Sequence, residues 1–100
     1  MKPDQLIPIL EEGAQRLGIT VKYEGLAQSG ISGSGGLCKV RGEWWLIVEK
    51  KSTPSERVAI LVDALAGFET ESLALPEKIE EMLARRRIAK AQSQVPSSGP

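Results

Sequence analysis

Few side chains in this 100-residue sequence combine the type and spacing that chemistry requires. The single cysteine, Cys38, precedes Lys39 and Arg41, and neighbouring cations can lower a thiol pKa and make it more nucleophilic. Asp63 is the only charged residue between Val58 and Phe68. A carboxylate among apolar neighbours is expected to be paired, exposed or functional. Histidine is absent, which excludes imidazole catalysis and histidine metal ligation. Any reaction would depend on a thiolate, a carboxylate, a lysine or Tyr23.

Cys38 and Asp63 also have structural interpretations. Cys38 shares one face of a predicted strand with Val40, which favours a small buried core side chain over a reactive thiol. Asp63 follows Glu56 by two helical turns, which predicts that both lie on a solvent-facing stripe. A single cysteine leaves no internal disulfide and no thiolate cluster. We therefore predict no catalytic residue, no metal site and no cofactor, and a protein that is not an enzyme.

Residues 25–36 form a segment rich in glycine and serine. Phosphate-binding loops present backbone N–H groups at the N-terminus of a helix, whereas this segment precedes a strand and has no basic residue. A flexible connector is the simpler interpretation, and a flap over a small ligand is the alternative. Under that alternative, the ligand-binding candidates are Ser32, Gly33, Gly35, Cys38 and Asp63.

Periodicity predicts the elements that position these residues. They are a helix over 4–17, strands over 19–24, 37–41 and 44–49, and helices over 54–67 and 76–89. Gly42 and Glu43 are predicted to form a type II′ turn of a hairpin. Thr53 and Glu56 have the spacing of a capping box. The predicted fold is α+β in the order α-β-β-β-α-α, with a small antiparallel sheet packed on helices.

The length indicates one domain, which we place at residues 1–90, followed by a disordered tail at 91–100. The N-terminus becomes acidic before any apolar stretch of a signal peptide could form. No apolar run approaches the roughly 20 residues that span a bilayer. These features predict a cytoplasmic protein without a membrane partner.

Charge patterning argues against a nucleic-acid partner. Thirteen Lys+Arg balance thirteen Asp+Glu, for a formal net charge of +0. The one basic run, residues 85–87 with Lys90, spreads its arginines around a helix and has no aromatic residues for base stacking. Glu81 can pair with Arg85 one turn later. We predict a solvated helix end there.

Apolar surface is the feature that points to a function. Adjacent strand positions face opposite ways, so one of Trp44 and Trp45 is expected in the core and the other outside. An outward tryptophan beside Leu46 or Val48 is typical of an interface anchor, and cover by a helix or by the tail is the alternative. The helix over 54–67 is apolar nearly all round and adds Ile60. We predict a non-catalytic module that forms a homodimer or binds a protein partner through these residues; a small-ligand-binding protein is the alternative.

Residues 36–68 contain Gly-Leu-Cys-Lys-Val-Arg-Gly, an apolar strand, and then Lys-Ser-Thr-Pro-Ser-Glu-Arg-Val. This third of the chain resembles a small uncharacterised bacterial protein family and, more distantly, the ImmA/IrrE-type metallopeptidases, whose capped helix bears H-E-x-x-H. The resemblance would place the two histidines at Asp63 and Gly67 and the glutamate at Ala64. It therefore implies a peptidase-like scaffold without the metal or its chemistry.

Overall fold

A computed structural model describes residues 2–25 and 35–93. Their elements are α1 (Pro3–Arg16), β1 (Ile19–Glu24), β2 (Gly35–Val40), β3 (Glu43–Glu49), α2 (Pro54–Leu65), a 3₁₀ turn (Glu71–Leu73) and α3 (Glu77–Ser93). The α+β class and the order α-β-β-β-α-α are confirmed. Residues 91–93, predicted to belong to the tail, are the last residues of α3, and residues 94–100 lie outside the described part of the chain.

The sheet is mixed, so the prediction of an antiparallel sheet was wrong. Its strand order is β1-β3-β2, with β2 antiparallel and β1 parallel to the central β3. Ile19 begins the parallel ladder opposite Trp44. Sequence alternation identifies a strand and its buried face, but it carries no information on direction relative to a strand further along the chain. With β1 parallel to β3, α1 packs against both β1 and α2.

The β2–β3 hairpin turns at Arg41 and Gly42, one residue earlier than predicted. Their φ angles are +52° and +85°. Positive φ at both central residues defines a type I′ turn, not the predicted type II′, and its twist matches that of the two strands. Val40 and Glu43 consequently face each other at the end of the ladder.

The predicted capping box at the start of α2 is confirmed. The Thr53 hydroxyl accepts a hydrogen bond from the Glu56 backbone N–H at 3.2 Å, and the Thr53 N–H donates to the Glu56 carboxylate at 2.8 Å. These two bonds satisfy backbone donors that have no partner inside the helix. Pro54 follows as the first helical residue, where its missing N–H costs nothing.

All three helices lie on one side of the sheet around a single apolar core. Gly13 and Ala14 are buried in α1, and a methyl group built on Gly13 would lie 3.9 Å from the Leu65 side chain of α2. These small residues allow the two helices to approach closely. The most deeply buried apolar side chains are Leu10, Ile19, Leu46, Val48, Leu61, Leu65, Ile79 and Leu83.

Candidate functional site

An apolar groove lies between β2, α2 and α3, on the helix side of the sheet. Its volume is about 620 Å³, which is within the size range of small-molecule sites. It exists because α3 packs mainly on α2, which leaves the space beside β2 open. The groove is lined by Gly36, Leu37, Leu46, Ala59, Ile60, Val62, Asp63, Ala64, Met82, Arg85, Arg86 and Ala89.

Three short residues lie at the exposed rim of the groove. Gly36, Ala59 and Ala89 all line it and are exposed. Gly36 contributes only its backbone, because side chains alternate along β2 and a side chain at position 36 would lie on the opposite side of the sheet from Leu37. Ala59 and Ala89 take up little of the space beside α2 and α3, so an apolar group has room there without displacing their side chains.

Asp63 connects α2 to α3 at the border of the groove. Arg86 donates from Nε to the Asp63 carboxylate at 2.7 Å, and its Nη2 lies 2.7 Å from the same oxygen. The Lys90 ammonium donates to the Asp63 backbone carbonyl at 2.8 Å and lies 3.5 Å from the carboxylate. The Asp63 side chain is half-exposed, in line with the predicted solvent-facing position. Its negative charge, however, is paired with the cations of Arg86 and Lys90.

The basic run divides into residues with different roles. Arg85 is a solvated side chain, as predicted, and lies 3.5 Å from Glu81. Arg87 instead donates to the Ala66 carbonyl at 3.1 Å, to the Phe68 carbonyl at 2.8 Å and to the Thr70 hydroxyl at 3.1 Å. It thereby satisfies carbonyl groups just after the end of α2, where helical partners are missing.

Sequence reasoning missed this role of Arg87, although a signal was present. Ile79, Leu83 and Arg87 follow one another at four-residue spacing. The first two are fully buried against the rest of the domain. A cation that continues a buried stripe near the end of a helix is well placed to meet backbone carbonyls of a neighbouring element.

The two tryptophans face opposite sides of the sheet. Trp44 is half-buried on the helix side and packs edge-to-face on Phe68, with ring centroids 5.7 Å apart. Trp45 lies on the side that no helix within the described residues covers, with the Lys22 ammonium 5.3 Å from its ring. Trp45 is itself half-buried and its indole nitrogen is buried, so only part of its ring is accessible to another molecule.

Of the three other interface candidates, two lie in the core and one lines the groove. Leu46 and Val48 are 1% and 0% exposed, because α1 and α2 cover their face of the sheet. They belong to the core, and their prediction as interface residues was wrong. Ile60 is half-buried and lines the groove, where it can contact a bound molecule.

Cys38 is exposed, so the prediction of a buried core position was wrong. It does share a face with Val40, but this face lies on the side of the sheet away from the helices, where Cys38 pairs with Trp45. Of the other ligand-binding candidates, Gly35 is the first residue of β2, whereas Ser32 and Gly33 lie outside the described residues. Within the ranges 2–25 and 35–93, no cluster of His, Cys, Asp and Glu could hold a metal ion.

A half-buried polar cluster around Tyr23 joins α1, β1 and α2. The Tyr23 hydroxyl donates to the Glu11 carboxylate, and the Arg57 guanidinium lies 5.0 Å from the tyrosine ring. Arg57 also donates to the Lys50 carbonyl at 2.7 Å and to the Ser52 hydroxyl at 3.2 Å. Burial, followed by the hydrogen bond to Glu11, raises the pKa of Tyr23 to about 12.

This raised pKa predicts a loss of stability at high pH. The neutral phenol is favoured in the folded state, so its contribution is complete below pH 10 and disappears as the pH rises from about 10 to about 12. Because the ring is only half-buried, we expect wild type to lose about 1–2 kcal/mol across this interval relative to Tyr23→Phe, which cannot ionise. Urea titrations of both proteins from pH 9 to 12 measure this difference, and parallel pH profiles would contradict it.

The chain matches no protein-family model, no curated protein and no solved structure. Within the described residues, no helix is both long and apolar enough to cross a bilayer. A functional interpretation therefore rests on the groove, the edge of β2 beside it and the side of the sheet away from the helices.

Proposed function

We propose that this protein is a non-catalytic interaction module that self-associates through the outer edge of β2, which pairs with no other strand of the described residues. The supporting observation is that β2 lies at one end of the sheet and borders the apolar groove. An edge strand has unpaired backbone donors and acceptors that another strand can use. Pairing with a second copy would satisfy these groups and extend the apolar surface of the groove.

The hairpin geometry identifies which backbone groups are free. In a two-residue hairpin the residues that flank the turn, here Val40 and Glu43, form a hydrogen-bonded pair. Alternation then directs the backbone groups of Cys38 and Gly36 towards β3 as well. Leu37 and Lys39 direct their N–H and C=O groups away from β3, towards the open edge.

Antiparallel pairing around a two-fold axis at Leu37 uses this edge best. Leu37 then lies opposite Leu37 of the second copy, and Lys39 lies opposite Gly35 of the second copy. Every outward-directed residue of the strand forms hydrogen bonds in this register. An axis at Lys39 would instead place two ammonium groups opposite each other, which destabilises a strand pair.

The other sheet edge is a weaker candidate. β1 has Lys22 and Glu24 on its uncovered side, and charged side chains on an edge strand oppose pairing with other strands. β2 has Lys39 as its single charged residue. Edge-to-edge association is consequently favoured at β2.

A proline substitution at Lys39 tests the proposal. Proline removes an outward-directed N–H and leaves the pairing of β2 with β3 intact, which is the position where edge strands tolerate it. Lys39→Ala is the matched control, because it removes the same charge and keeps the N–H. We expect wild type and Lys39→Ala to dimerise in sedimentation velocity experiments, and Lys39→Pro to dimerise at least about tenfold more weakly.

Circular dichroism establishes that Lys39→Pro is folded. A wild-type protein that stays monomeric at every concentration contradicts the proposal. So does a folded proline variant that dimerises as tightly as the alanine variant.

Disulfide trapping tests the register. Residue 36 lies opposite Cys38 of the second copy when the axis is at Leu37, in a non-hydrogen-bonded pair with Cα atoms about 4.5 Å apart. This spacing permits a disulfide, and Gly36→Cys introduces no clash. We expect oxidised Gly36→Cys to form a covalent dimer readily, and the same variant with Cys38→Ser to stay largely uncrosslinked. Crosslinking of wild type through Cys38 alone, with no gain in Gly36→Cys, would show that the axis lies at Cys38.

A further inference from the structure

We propose that the groove binds an amphipathic monoanion, namely a medium-chain aliphatic carboxylate. In this arrangement the hydrocarbon chain lies between β2, α2 and α3, and the carboxylate contacts Arg85. This site lies on the helix side of the sheet rather than along its edge.

The groove offers an apolar surface for the chain from all three elements. Leu37 is its sheet-side residue, Ile60 belongs to α2, and Met82 belongs to α3. All three are half-buried and pack against the core. The thioether of Met82 is polarisable and conformationally adaptable, which suits contact with a flexible alkyl chain.

The charges at the groove favour an anionic headgroup. Asp63 is already bonded to Arg86 and Lys90, so this carboxylate is not available for a ligand cation. Arg85 is 80% exposed, and its contact with Glu81 is a surface ion pair at 3.5 Å. Such pairs are weak and are readily exchanged for another carboxylate.

Arginine is suited to this exchange because its guanidinium forms two parallel hydrogen bonds to a carboxylate. This end of the groove has a net charge of +1. It carries three cations and two carboxylates, namely Arg85, Arg86, Lys90, Asp63 and Glu81. A single negative charge on the ligand neutralises it. The uncharged lining further along the groove accepts the hydrocarbon chain.

Titration of the full-length protein with a matched ligand series tests the headgroup and the chain. We expect decanoate to bind saturably by calorimetry, decanol to bind more weakly and decylammonium to bind least. Affinity should rise about fourfold for each methylene from hexanoate to decanoate, as expected for burial of an alkyl chain. Equal affinities for decanoate and decylammonium, or no saturable decanoate binding, would overturn the proposal.

Two tryptophan variants on the same helix test the location. Ala89→Trp fills the groove, whereas Ala84→Trp introduces the same side chain at an exposed position of α3 that does not line it. We expect Ala89→Trp to lose decanoate binding and Ala84→Trp to retain it. If both bind decanoate as wild type does, the ligand lies elsewhere.

Substitutions at Arg85 test the ionic contact separately. Arg85→Gln is expected to weaken decanoate binding about tenfold and to leave decanol binding unchanged, and Arg85→Lys should recover part of the loss. An Arg85→Gln variant that binds decanoate like wild type contradicts the assignment of the headgroup. Lys39→Pro, which is expected to be monomeric, should still bind decanoate, so failure of self-association and failure of this site can be told apart.

Discussion

The Leu65→Ala substitution is expected to lower the free energy of unfolding by about 3–5 kcal/mol. Leu65 is 0% exposed and lies at the contact between α1 and α2. Its removal loses the burial of three carbon atoms and leaves a cavity that the rigid α1–α2 contact cannot close. Urea unfolding monitored by tryptophan fluorescence measures the change.

Ile88→Ala is the matched control for this prediction. It also removes three carbon atoms from a helical residue, but Ile88 is 58% exposed. We expect a change within about 0.5 kcal/mol of zero. Similar losses in both variants would contradict the assignment of Leu65 to the core.

The Arg87→Ala substitution should lower the free energy of unfolding by about 2–3 kcal/mol. Arg87 donates charge-assisted hydrogen bonds to the carbonyls of Ala66 and Phe68 and to the hydroxyl of Thr70. Thr70 is buried, so its hydroxyl loses a partner that water does not readily replace. The expected loss is large for a surface helix because one side chain connects α3 to the end of α2.

Neighbouring residues provide the controls for Arg87. Arg85→Ala removes the same charge from the same helix, and we expect it to change stability by less than about 0.5 kcal/mol. Arg87→Lys should recover only part of the loss, since an ammonium group cannot reach several acceptors with the fixed fork of a guanidinium. If Arg87→Ala is no worse than Arg85→Ala, the capping role is contradicted.

Those features of the fold that depend on adjacent residues could be predicted from the sequence. Thr53 and Glu56 lie within one helical turn of each other, and they form the predicted bonds. The alternation of residues 19–24 likewise predicted β1 and its buried face. In each case the interacting atoms are close in sequence, so few tertiary arrangements can change the outcome.

Features that depend on which face another element covers could not be predicted in this way. Cys38 alternates correctly with its neighbours, but only the packing of the helices decides that its face is the one away from them. The parallel direction of β1 is equally non-local, since its partner β3 lies beyond β2 in the chain. Local periodicity contains neither kind of information.

The groove was unpredictable for a related reason. It is a gap, and its existence depends on where α3 rests on α2. Asp63, Arg86 and Lys90 set that position through bonds between residues more than 20 apart in sequence. The arginine run was visible in the sequence. The separate roles of its residues depend on where α2 lies: Arg85 lines the groove, Arg86 bonds to Asp63 of α2, and Arg87 caps the end of α2.

The parallel pairing of β1 with β3 also affects how the chain can fold during its synthesis. Translation delivers the N-terminal end first, so α1 and β1 leave the ribosome before either of their main partners exists. β1 has no strand to pair with until Glu49 has emerged, and α1 lacks its helical neighbour until Leu65 has followed. Residues 3–24 therefore remain without their main partners until Leu65 has left the ribosome.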